Sequence, residues 1–168
     1  SIPEPMSLAI KTPLGTVVHT GDWKIDLEPS LGPLTDETRF RKLGDEGVLA
    51  LICDSTNALR DGVSPSEREV SESLTKIIEA SEGRVGITTF SSNVGRIRSI
   101  ARAAEAAGRE VLLLGSSMKR VTDVARDIGL MEGIKPFIAE DEFGYIPRDK
   151  VVVILTGSQG EPRAALAK

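Results

Sequence analysis

Apolar positions change their spacing partway along the chain, and the change separates two kinds of structure. Residues 7–20, "SLAIKTPLGTVVHT", form two short strand-like runs around "TPLG", where Pro13 presets the turn and Gly15 relieves strain. This predicts a β-hairpin. Four apolar runs follow: "VLALICD" (48–54), "RVGITTF" (84–90), "EVLLLG" (110–115) and "KVVVILTG" (150–157), each short enough to be a buried parallel strand.

Helix-period stretches lie between them. Ser64 and Glu67 make a capping box with Pro65 at the first helical position, and Val70, Leu74, Ile77 and Ile78 form an apolar stripe. A second helix is predicted from Asn93, burying Val94, Ile97, Ile100, Ala101 and Ala104 and stopping at Gly108, with Arg98 and Arg102 sharing its solvent face. A third begins near Ser117, turns Met118, Val121, Val124, Ala125 and Ile128 inward and stops at Gly129. A shorter helix over 36–43, capped by Thr35, follows the turn-rich "DLEPSLGPLTDE". Strands alternating with helices in this order imply an α/β fold, a parallel sheet with helices on both faces, to which the early hairpin does not belong.

Composition narrows the class. With 40% hydrophobic and 27% charged residues, and no apolar run near the roughly 20 residues of a membrane span, a membrane protein is excluded. Cys53, the single cysteine, follows "LALI", which predicts a buried thiol and a reducing, cytoplasmic setting. The chain has no secretory signal and no initiator methionine, and "EPRAALAK" reads as a helix start at Pro162 with no stop, so a fragment of a longer protein is expected. Charge is uneven: residues 61–82 hold six acids against two bases, and 93–120 six bases against two acids, which makes one basic face plausible.

In a parallel sheet, ligands gather at the carboxyl ends of the strands. Each predicted strand is followed by a polar loop: "DSTN" (54–57), "SSN" (91–93), "GSS" (115–117) and "TGSQGE" (156–161). Hydroxyls, amides and helix N-terminal N–H groups suit phosphate oxygens, although any one of these loops is as well explained by helix capping. Four on one rim would favour phosphate or nucleotide binding. The glycine spacing of a dinucleotide fingerprint and the lysine of a P-loop are both missing. His19 and Asp22 in "HTGD" are too little for a metal site alone, since one histidine and one cysteine cannot supply an imidazole-rich ligand set.

The stretches "SIPEP", "TPLGTVVHTGDWKID", "LALICDSTNA", "SPSEREV", "TTFSSNVGRIRSI" and "LTGSQGEPRAAL", in this order, resemble the ribonuclease J family, in the β-CASP branch of the metallo-β-lactamase superfamily. The resemblance covers essentially the whole chain. It implies a Rossmann-like β-CASP domain over 35–168, preceded over 1–34 by a hairpin and linker from a metallo-β-lactamase domain. It also implies a metal-dependent hydrolase cleaving RNA phosphodiesters by 5′-3′ exonuclease and endonuclease action in RNA processing and decay.

In that family Asp22 matches the carboxylate bridging two metal ions, zinc or manganese, beside a bound hydroxide that attacks phosphorus. His19 is then a packing or orienting neighbour. Asp54 matches an aspartate that orients a catalytic histidine or meets the substrate. Ser91, Ser92, Asn93, Ser158, Gln159 and Glu161 match loops that border RNA, and Arg96, Arg98, Arg102, Lys119 and Arg120 are candidates for an electropositive path. Trp23 reads as core. The family's histidine motifs are missing from this chain, so it is expected to be inactive in isolation and to lack a dinuclear centre. The parent is expected to bind RNA, to form a homodimer or homotetramer and to have no membrane association. A non-catalytic α/β module binding a phosphorylated small molecule or a protein partner is the alternative.

Overall fold

The computed structural model describes residues 5–167, which build two separate three-stranded sheets. In the first, β1 (Leu8–Thr12) and β2 (Gly15–His19) form the predicted hairpin, with Thr12 opposite Gly15. The Thr12 hydroxyl donates to the Gly15 carbonyl at 2.8 Å and accepts the Leu14 N–H at 3.2 Å, which closes the turn. Gly15 has φ +144°, and a Cβ there would lie 3.0 Å from the Leu49 Cβ, so both conformation and space favour glycine.

After β2 the chain forms α1 (Glu37–Glu46) and then β3 (Ala50–Ile52). The expectation that the 48–54 run joins the later strands is corrected. β3 pairs in parallel with β2, Val17 opposite Ala50 and His19 opposite Ile52. A short apolar run signals a strand but carries no information about its partner, and the crossover through α1 is long enough to return beside β2. Ala50, Leu51, Ile52 and Cys53 are exposed, so the buried-thiol expectation also fails. β1 and β3 of this small sheet are exposed along their length, while Val18 of the central β2 is buried.

The second sheet has the order β4-β6-β5, all parallel, from β4 (Val85–Thr88), β5 (Glu110–Leu114) and β6 (Val151–Leu155). Register sets Val85 opposite Val152 and Glu110 opposite Val151. Central β6 is buried along its whole length, as its unbroken valine-rich sequence requires. Its alternate residues serve two cores. Val152 and Ile154 pack with Ile78, Ile97, Ile100 and Met118 from α2 (Glu67–Ala80), α3 (Val94–Ala106) and α4 (Ser116–Asp127). Val151, Val153 and Leu155 face Ile138, Phe143 and Ile146, from a segment that includes the 3-10 turn Phe143–Tyr145. Both faces are therefore covered.

Helix ends refine the sequence reading. Of two overlapping Ser-x-x-Glu boxes, the chain uses Ser66 with Glu69 and not Ser64 with Glu67, because Glu67 is drawn to Arg96 of α3. Asp36, not Thr35, caps α1. Asn93 caps α3, and Gly108 and Gly129 follow α3 and α4 with φ +66° and +81°, as predicted. Ile77, Val124 and Ile128 are exposed and not inward, since only a narrow stripe of α2 and α4 reaches the sheet. The expected helix from Pro162 is a 3-10 turn, Ala165–Ala167, tied back to Thr156. No helix of the described residues is long and apolar enough to cross a membrane.

Candidate functional site

The carboxyl ends of β2 and β3 lie side by side, and Thr20 fastens the turns that follow them. Its N–H donates to the Ile52 carbonyl at 3.0 Å, extending the ladder one residue past the strand. Its hydroxyl donates to the Gly21 carbonyl at 2.7 Å and accepts the Asp54 N–H at 3.4 Å, and its own carbonyl accepts from the Ser7 hydroxyl at 3.1 Å. Thr20 is 1% exposed. The "HTGD" and "DSTN" stretches, 34 residues apart at this contact, thus become one structural unit.

Gly21, at φ +63°, turns the chain so that its N–H meets His19 Nδ1 at 3.0 Å. His19 therefore acts as an acceptor for the turn and is not paired with Asp22. The Asp22 carboxylate is exposed and has no hydrogen-bond partner among the described residues. Asp54 Oδ1 accepts the Thr56 hydroxyl at 2.5 Å and the Thr56 N–H at 2.9 Å. These two bonds, the hydroxyl first, hold its carboxyl below the ordinary aspartate range. Oδ2 is left for another partner.

The loops after β4, β5 and β6 share the corresponding edge of the second sheet. The loop after β4 starts where the Thr89 N–H meets the Leu155 carbonyl at 3.1 Å and ends at Asn93, whose Oδ1 caps the Arg96 N–H at 3.0 Å. That leaves the Asn93 amide N–H groups and the half-buried Ser91 and Ser92 hydroxyls without partners among the described residues. Gly115, after β5, abuts Thr156, after β6. Ser158 and Gln159 are exposed, whereas Glu161 folds its loop by accepting the Gln159 N–H at 3.2 Å. Three polar loops therefore share one rim, and "DSTN" stands with Asp22 on the edge of the other sheet, which corrects the expectation of four on one rim.

The basic residues separate in the same way. Arg96 is engaged by Glu67 and Lys119 by Glu140, so neither offers a free charge. Arg98, Arg102 and Arg120 have no carboxylate within salt-bridge distance among the described residues. Burial and then the neighbouring Arg102 lower the Arg98 pKa. Trp23 is not core: it is partly exposed and tilts against Phe40 of α1 with ring centroids 5.8 Å apart. Sequence reasoning missed Thr20, because a buried hydroxyl looks like any strand-end threonine.

Among the described residues no group of three or more His, Cys, Asp or Glu side chains could hold a metal ion. Asp22 stands alone and does not make such a site. Two shallow depressions lie away from the polar loops. One of about 430 Å³ involves Ser81, Arg109 and Lys150 at the opposite edge of the second sheet, and one of about 300 Å³ involves Arg126 and Met131. Neither depression is lined by residues of the polar loops.

The family profile described as "Ribonuclease J, beta-CASP domain" matches residues 82–168. Curated relatives align along the whole chain. It is 88% identical to "Ribonuclease J" of Sinorhizobium meliloti, 46% identical to "Ribonuclease J" of Mycolicibacterium smegmatis and 40% identical to "Ribonuclease J2" of Bacillus subtilis. In each case the chain spans 30% of the relative's length.

Proposed function

The chain belongs to the ribonuclease J β-CASP family, and on that footing we propose that it is a segment of a metal-dependent ribonuclease that cleaves RNA phosphodiesters in RNA processing and decay. Both 5′-3′ exonuclease and endonuclease action belong to this reading, in the bacterial cytoplasm and within a homodimer or homotetramer. The observation that carries it is the Thr20 contact, which joins the Asp22 and Asp54 turns at the ends of adjacent parallel strands.

Asp22 serves as one carboxylate of the metal site, and zinc or manganese takes its remaining ligands from other parts of the longer enzyme. Asp54, ionised at neutral pH, is an acceptor suited to orienting an imidazole N–H or to meeting the substrate. Ser91, Ser92, Asn93, Ser158 and Gln159 present neutral donors to phosphate oxygens, and Glu161 shapes the loop that carries two of them. The pairing of β3 with β2 favours assigning residues up to about Asp54 to the metallo-β-lactamase part and the α2–β6 layer to the β-CASP part.

The test compares two lengths of protein, this chain and one extended at both ends to include the family's histidine motifs. Manganese- or zinc-dependent cleavage of a labelled oligoribonucleotide by the longer protein alone supports the reading. Cleavage by neither refutes it.

A further inference from the structure

The two sheets share no strand pairing, so something other than a backbone ladder must set the distance between their polar edges. The segment after Asp22 supplies it. Lys24 donates to Asp26 Oδ2 at 3.1 Å and to the Pro65 carbonyl at 2.6 Å, and stands 3.8 Å from Glu67 Oε1. Asp26, with a side chain only 9% exposed, also accepts the Glu67 N–H at the start of α2 and the Glu28 N–H, each at 2.9 Å. Glu67 in turn holds Arg96 of α3 through two parallel bonds, Nε to Oε2 at 3.1 Å and Nη2 to Oε1 at 2.9 Å.

The four side chains make a charge-balanced network with alternating signs, and they connect three segments of chain. Lys24 lies two residues after Asp22, and Arg96 lies three residues after Asn93. Contact beside the network is close. A side chain at Gly95 would overlap the Ser30 hydroxyl, and Leu31 packs into the main core. The bidentate arginine–carboxylate pair fixes direction as well as distance, which a single lysine contact does not.

We infer that Lys24, Asp26, Glu67 and Arg96 form an ionic joint that holds the Asp22–Asp54 turns at a set distance from the Ser91–Asn93 turn, and that Glu67 and Arg96 are positioning residues for RNA cleavage. The inference rests on the ribonuclease reading for its link to catalysis, but the joint itself rests on geometry alone. Phosphoryl chemistry tolerates little misplacement, about 1 Å costing on the order of a hundredfold, so loosening the joint acts on kcat more than on KM.

The test uses the full-length enzyme carrying Glu67→Gln, Arg96→Gln, both together, or the conservative Arg96→Lys. Steady-state cleavage of a defined oligoribonucleotide is measured alongside the distance between nitroxide labels on Cys53 and on a cysteine replacing exposed Arg102, in a background without other reactive thiols. Each glutamine variant is expected to lower kcat about tenfold, with little change in KM and a broadened label distance. The double variant should be no worse than Glu67→Gln alone, because that substitution already removes the ion pair that Arg96→Gln would remove. Arg96→Lys, which keeps the charge and loses the fork, should fall between. Unchanged kcat, an unchanged label distance, or losses that multiply in the double variant overturn the inference. A wild-type enzyme inactive on RNA would refute the ribonuclease reading instead, and the label distance would then decide the joint by itself.

Discussion

Replacing Thr20 by valine keeps the shape of the side chain and removes the hydroxyl that joins the Gly21 and Asp54 turns. The hydroxyl makes one short bond, 2.7 Å to the Gly21 carbonyl, and one long bond, 3.4 Å from the Asp54 N–H, inside a site that is 1% exposed. A hydrogen bond of this kind contributes about 1 kcal/mol net, and groups left unpaired away from water add to the loss. The long bond is the weaker of the two, and the new methyl group recovers part of the loss through burial. The backbone bond from the Thr20 N–H to Ile52 is unaffected. The expected destabilisation is therefore about 1–2 kcal/mol.

Urea unfolding measures it. The midpoint should fall by roughly 0.5–1 M with an unchanged slope, and Thr20→Ser, which keeps the hydroxyl, should stay closer to wild type. Faster amide hydrogen exchange at Asp54 in the valine variant alone would locate the loss at this contact. A midpoint equal to that of wild type, with Asp54 exchange unaltered, would show that the hydroxyl does not hold the turns together.

Three further outcomes are expected. Arg109, 7% exposed, donates to the carbonyls of Gly83 and Ser81 and staples the α2–β4 turn to β5, so Arg109→Met should cost about 2–3 kcal/mol in thermal or chemical denaturation. Asn93→Ala and Ser66→Ala each remove an N-cap and should cost about 1 kcal/mol, with Asn93→Ser retaining most of the stability. Thr56→Val should raise the Asp54 pKa toward the ordinary aspartate range, because the hydroxyl bond that lowers it is lost, and NMR titration of its carboxyl carbon reads the change. The sign follows from linkage: a carboxyl lowered in the folded state stabilises above the unfolded pKa and loses that contribution as pH falls through the folded value. The stability gap between wild type and Thr56→Val should accordingly be present at neutral pH and close in acid.

Local signals carried much of the fold. The hairpin around Pro13 and Gly15, the α3 helix from Asn93 to Gly108, the end of α4 at Gly129 and the buried strands β5 and β6 all depend on dihedral preferences, caps and periodicities that operate within a few residues. The polar loops after the strands were legible for the same reason, because a run of Ser, Asn or Gly after an apolar strand marks a turn wherever it occurs. Family membership was readable too, since motif order survives in the linear chain.

Tertiary structure alone decided the rest. It chose β2 as the neighbour of β3, exposed Cys53, Ile77, Val124 and Ile128, and moved the α2 cap from Ser64 to Ser66. It also took Arg96 and Lys119 out of the basic face by pairing them with Glu67 and Glu140, and it gave Thr20 its place between two turns. Each outcome depends on groups brought together from 21 to 34 residues apart, or on which faces find cover. Hydrophobic pattern states that a residue can be buried, while only the assembled packing determines what lies against it.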